Sequence, residues 1–301
     1  MTSWICATCA VEHPSSPTPP ASCPICSDER QYVPPAGQRW TTLAELSAAG
    51  HRGRVRELEP GLFGVTVQPE VGIGQQALLA TGPEGNVLWD PTGYVDDELA
   101  AAVAEHGPVV GIAASHPHMF GVQVEWSRRL GGAPVLVNAH DARWLQRTDP
   151  AVRLWEDRLE LAGVLLVRIG GHFPGSAVAR WAAPDGAGVL LSGDTVAPNP
   201  DRRSVGFMRS YPNHLPLSDP VVAVIQTRIA ALHEERPFQR IYGNFDGRVD
   251  RDAATVVHDS AERHRAWVRG DHDHLTGTDD AVRSPEPVTG AAGATPPSPS
   301  W

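Results

Sequence analysis

Two kinds of apolar pattern alternate along this 301-residue chain. Short continuous aliphatic runs end in glycine-rich turns, as buried strands do, and between them apolar residues recur at helical spacing. Residues 108–114 (PVVGIAA) make the clearest strand, and residues 121–130 after it can be helical. Further strands are expected at 62–68, 75–81, 86–90, 133–138, 161–169, 178–182, 188–191 and 239–242. Gly82-Pro83-Glu84-Gly85 and Pro184-Asp185-Gly186 supply hairpin turns. Asp96 caps a helix that Gly107-Pro108 stops, which leaves His106 in the last turn as a partner for the helix dipole. Another helix starts at residue 139. Asp219 reads as an N-cap before Pro220 for a helix to about Glu235, and a last helix covers 250–269. Strands in two groups with helices between them predict a mixed α+β domain.

Polar stretches divide the chain. Residues 33–53 read as a connector with one short helix capped by Thr41 or Thr42 and ended by Gly50 and Gly53. Residues 198–216 form a long loop with Arg202, Arg203, Arg209, Tyr211, Asn213 and His214, of a length that is usually functional. From Gly270 onward Gly, Pro, Ser, Thr and Asp dominate, which predicts disorder and makes Asp271-His272-Asp273-His274 part of a mobile tail. The expected organisation is a small module at 1–32, a connector at 33–53, a main domain at 54–269 and a tail at 270–301.

Composition adds exclusions. The chain is 41% hydrophobic and 20% charged, ordinary for a globular protein with a large core. Its formal net charge is −10 and its basic residues are all arginine without a long run, so no nucleic-acid partner is expected. No apolar run has the length of a membrane span, and residues 1–6 lack the regions of a secretory signal. A cytoplasmic location and a small-molecule substrate are expected, with an oligomer left open.

Cysteine chemistry is confined to the first module. Cys6-Ala7-Thr8-Cys9 and Cys23-Pro24-Ile25-Cys26 stand thirteen residues apart, a spacing that closes four thiolates around one metal. It resembles a zinc ribbon or a rubredoxin-like module. Zinc is the default for such a site, and iron stays open. With little apolar core of its own, the module depends on metal for folding, and loss of Cys9 is expected to unfold it while the main domain stays folded.

The main domain carries its candidates at three strand ends. Ser115-His116-Pro117-His118-Met119-Phe120-Gly121 follows the strand at 108–114, Gly170-Gly171-His172-Phe173-Pro174-Gly175-Ser176 follows the run at 161–169, and Ser192-Gly193-Asp194 closes 188–191. His-x-His, His and Asp in that order, with these glycines, resemble the metallo-β-lactamase superfamily over about residues 54–267. The resemblance implies an αββα sandwich with His116, His118, His172 and Asp194 as metal ligands and Asp90 in a supporting position. His140 corresponds to no ligand. The second-metal positions hold Phe120 and Gly121, and Asn244 stands near the last-histidine position, so one ion is expected. Converting Phe120 to Asp and Gly121 to His, with Asn244 changed to His, would then restore a second.

Three readings follow. In the first, a zinc hydrolase acts on an ester, thioester or similar small substrate, with Asp194 or Asp246 as base and Asn244 as oxyanion donor. In the second, His116, His172 and Asp194 hold Fe(II) for oxygen chemistry, as in the superfamily's persulfide dioxygenases. In the third, a catalytically degenerate fold serves binding alone.

Overall fold

The computed structural model describes residues 2–277, so the chain beyond Gly277, the larger part of the expected tail, lies outside the described residues. Among them, two large sheets face one another. One has seven strands in the spatial order Val152–Trp155, Val135–Asn138, Val109–Ala113, Asn86–Trp89, Ala77–Ala80, Leu62–Gln68 and Arg52–Glu59. Its first four strands are parallel and the others antiparallel. The other has six: Arg158–Leu161, Val164–Arg168, Ala177–Ala182, Gly188–Leu191, Arg240–Tyr242 and Arg248–Val249.

Alternation within each strand decides which residues fill which layer. Leu78 and Ala80 point between the sheets while Leu79 packs outward beneath the helices Asp97–Ala104 and Gln123–Arg129. In the second sheet Val164, Leu166, Val189 and Leu191 point inward, and Leu165 and Leu190 pack under the helices Asp219–Glu235 and Ala253–Arg269. Trp89 and Trp181 are wholly buried between the sheets. Helix, sheet, sheet, helix is the layer order that results.

Several local expectations are corrected. The 33–53 stretch contributes a strand, Trp40–Thr41, that pairs with Thr2–Cys6 in a small sheet with Glu12–Ser16. The helix that follows, Leu43–Ala48, is capped as expected by Thr42, which accepts from the Glu45 amide. His106 lies past the end of its helix and stacks on Phe63 with ring centroids 3.8 Å apart. Residues 139–144 form a 3-10 helix. Ser218 holds the cap position expected of Asp219, which instead pairs with Arg265 at 2.6 Å. The 198–216 loop is folded into two small hairpins. Beyond Gly270, Asp273–Leu275 forms a 3-10 turn, with His272 against Trp267.

Candidate metal centres

The four cysteines converge. Cys6, Cys9, Cys23 and Cys26 are buried, free of disulfides, and have sulfurs within 4.8 Å of one another. The knuckles are closed by Ala10 N donating to Cys6 O at 2.8 Å and Ser27 N to Cys23 O at 3.0 Å. A tetrahedron with metal–sulfur bonds of about 2.3 Å has edges of about 3.8 Å. The Cys6–Cys26 and Cys9–Cys23 separations of 3.6 and 3.7 Å match that edge and are far from the length of a disulfide.

A second group forms where strands of both sheets end. His116 and His118 follow Val109–Ala113, His172 follows Val164–Arg168, and Asp194 follows Gly188–Leu191. One donor atom from each lies within 4.8 Å of the others. His118 Nδ1 is 3.4 Å from His172 Nε2, and Asp194 Oδ2 is 3.5 Å from His116 Nε2 and 3.7 Å from His172 Nε2. With metal–nitrogen bonds of about 2.0–2.1 Å the tetrahedral edge is about 3.3–3.4 Å, so these donors fit one ion.

Hydrogen bonds behind the rings fix which nitrogen faces the group. The Ser115 hydroxyl donates to Asp90 Oδ2 at 3.0 Å, so the His116 Nδ1–H donates to Ser115 Oγ at 2.9 Å. His116 Nε2 is then a bare lone pair, and it is buried with no protein partner. Asp90 also accepts from the Ser115 amide at 2.6 Å, which is the support its strand-end position implies. Gly193 is glycine because a Cβ there would lie 2.1 Å from Ser115 Oγ. His172 donates from Nδ1 to Met208 O at 2.9 Å, leaving Nε2 for the group. His118 turns Nδ1 to the group, and its Nε2, on the other side of the ring, is buried with no hydrogen bond among the described residues.

Burial sets the charge state. The three imidazoles are at most 3% exposed and Asp194 is 7% exposed. Desolvation, with Arg30 adding, pushes His116 down to about 3. Desolvation and His116 push His172 down to about 4, and desolvation with both neighbours holds His118 well below its usual range. The rings are therefore neutral at pH 7, the form a metal requires. Tyr211, whose hydroxyl donates to Asp194 O at 3.2 Å, is held well above its ordinary range by burial and by Asp194.

The positions of a second ion are closed. Phe120 is buried in one apolar cluster with all four cysteines, Ile25 and Met119. Gly121 has φ +49, and a Cβ on it would meet Pro91 O at 2.2 Å and Thr92 O at 2.6 Å. Asn244 is buried, its carbonyl accepting from the Gln76 amide, and its Nδ2 has no partner although it lies beside Asp90. Asp246, an alternative base in the sequence, is exposed and paired with Arg56. His140 is exposed at the protein surface.

No protein-family profile matches the chain. It is 38% identical over 265 residues to the uncharacterized protein YmaE of Bacillus subtilis (strain 168), covering 87% of this chain and 95% of YmaE. The metallo-β-lactamase FIM-1 from Pseudomonas aeruginosa, in its mono-zinc form, superposes with a TM-score of 0.51 at 15% identity over 71% of this chain and 96% of that one. For a metallo-β-lactamase from Pontibacter korlensis the TM-score is 0.50 at 18% identity, covering 70% of this chain and 99% of that one. The chain has the metallo-β-lactamase fold and belongs to one family with YmaE.

Within that fold, several residues around the histidines carried no recognisable signal. Arg30, three residues past Ser27, donates from Nε to His172 O at 2.7 Å and lies 4.1 Å over the Phe173 ring. Phe173 packs against all three histidines. Asp141 accepts from the Gly175 amide at 2.8 Å and braces the turn after His172. These contacts join segments remote in sequence, where spacing is uninformative.

Proposed function

We propose that this chain is a metal-dependent hydrolase with one catalytic ion held by His116, His118 and His172, and Asp194 as fourth ligand or as acceptor for the bound water. The convergence of four buried donors at tetrahedral spacing carries the reading. We assign zinc to both centres. Four thiolates favour it in the first, and neutral imidazoles with a carboxylate suit it in the second, the fold that FIM-1 shows in a mono-zinc form. A bound ion would supply the charge that brings the pKa of its water to about 7.

The protein's own residues do the rest. Asp194 is the most exposed member of the group, so substrate would approach from its side, and its carboxylate, where it is not itself a ligand, would accept a proton from water. Tyr211 stays protonated and anchors Asp194 through the backbone. Asn244 Nδ2, which lies beside Asp90 and makes no well-formed hydrogen bond among the described residues, is the candidate donor to a developing oxyanion. Phe173, packed on all three imidazoles, keeps the surroundings dry, and the burial of the centre restricts it to a small ester, thioester or similar acyl substrate.

Metal analysis of the full chain tests this. Two zinc ions per chain are expected, with one in His116→Ala and loss of hydrolysis of a nitrophenyl ester and thioester panel. Asn244→Ala should keep both ions and lower turnover by about 10²–10³-fold. Iron at the histidine centre would replace hydrolysis by oxygen chemistry. A chain with no second ion after zinc or Fe(II) reconstitution refutes the assignment.

A further inference from the structure

The segment that carries the cysteines also builds part of the wall of the histidine centre. From the second knuckle the chain runs to Asp28 and Arg30, whose guanidinium bonds Asp28 Oδ1 at 2.5 Å and His172 O at 2.7 Å and lies on Phe173. Arg30 O accepts from Ser210 Oγ at 2.9 Å, two residues from the Met208 carbonyl that fixes the His172 ring. Arg30 therefore backs the His172 turn and ties down the strand that orients its imidazole. On the opposite side Phe120, two residues past His118, is packed in the cysteine cluster. Glu12 N donates to Gly121 O at 3.0 Å, and Glu12 Oε1 accepts from the Val124 amide at 2.5 Å.

Four buried thiolates within 4.8 Å of one another repel once their metal is gone, and the side-chain bond from Gln38 Nε2 to Cys6 Sγ at 3.2 Å does not replace the charge of an ion. Loosening of residues 23–31 would then release Arg30 from His172 and uncover Phe120. We propose that occupancy of the four-cysteine site governs metal retention at the histidine centre, with Arg30 as the positioning residue that transmits it. The inference rests on both groups being metal sites, as proposed above.

Cobalt(II) tests it on the full chain, since thiolate ligands give an intense charge-transfer band and imidazole–carboxylate ligands give only weak visible bands. In the native chain both signatures should appear. Arg30→Met should keep the thiolate band and bind the second ion about 10- to 100-fold more weakly, the loss typical of an outer-sphere support. Arg30→Lys, which keeps one donor and the charge, should recover part of it. Independently of any variant, a thiol-specific mercurial added to the native, doubly loaded chain should release cobalt from the histidine centre in step with the thiolate band. Native-like second-ion binding in Arg30→Met, or a histidine-centre band that survives the mercurial, overturns the coupling while leaving both metal sites standing. A thiolate band with no second ion at saturating cobalt instead removes the histidine centre itself, and the coupling with it.

Discussion

At Gly121 the backbone sits at φ +49 with two carbonyl oxygens where a side chain would begin. Strain in that region costs about 1–3 kcal/mol for a non-glycine residue, before any overlap is counted. Restoring the superfamily motif by Phe120→Asp, Gly121→His and Asn244→His should therefore destabilise the chain and bring no second ion, contrary to the sequence expectation. Urea denaturation and metal counting check it, and a stable variant with three ions per chain would refute it. Asp141 gives a pH signature. Burial pushes its carboxyl up to about 6 against the opposing Gly175 amide. Between about pH 4 and 6 the folded chain holds a proton that the unfolded chain has lost, so this group's contribution to stability falls as pH rises, by at most about 1.4 kcal/mol per unit. Relative to Asp141→Asn, native stability should decline across that window and run parallel above it; parallel curves throughout would show that the carboxyl titrates normally. The convergence of His116, His118, His172 and Asp194 was legible at this scale, because they stand at strand ends beside glycines. The relay from Asp90 through Ser115 was only partly legible, since its middle contact crosses between strands.

Strands reveal themselves when their side chains are buried. Ala77–Ala80, Asn86–Trp89 and Gly188–Leu191 are buried at every position and read from sequence as continuous apolar runs. Arg52–Glu59 and Val152–Trp155 lie at the two edges of the seven-stranded sheet and escape that reading. Their exposed charged positions dilute the apolar period, a common feature of protected edges. The same distinction orders mutational cost. Leu191, wholly buried between the sheets, should cost about 2–5 kcal/mol as Leu191→Ala. Arg153→Ala on the exposed edge strand should change stability by less than about 0.5 kcal/mol. Paired denaturation curves decide it, and equal shifts would mean that the inter-sheet layer is looser than its burial implies.

At the scale of the whole molecule, the cysteine segment and the sandwich share one interior. Ala10 belongs to the core beneath the outer helices, and Ala114, Met119, Phe120, Val135 and Val137 form one cluster with the cysteines. Glu12 and Arg147, 3% and 7% exposed by side chain, meet across the boundary at 2.6 Å, and Arg147 also reaches Glu125 at 2.8 Å. Spacing predicted that the four cysteines would converge but could not show what they rest on, which is why a separable module was the natural expectation. We propose instead that residues 1–32 and 54–269 unfold together. Arg147→Met tests this because it removes both boundary ion pairs. Burial already pushes the Glu12 carboxyl up to about 7, so it takes a proton once its cation is gone, and the loss stays below about 3–5 kcal/mol, the cost of a fully stranded buried charge. If the two parts are one cooperative unit, that cost shifts the whole transition, and tryptophan fluorescence and the cobalt–thiolate band move together. Adding Glu12→Gln removes the carboxyl that must take up that proton, keeps an acceptor for the Val124 amide, and should recover part of the loss. A thiolate band that melts early in Arg147→Met, while the fluorescence transition keeps its native midpoint, would instead establish two independent folding units.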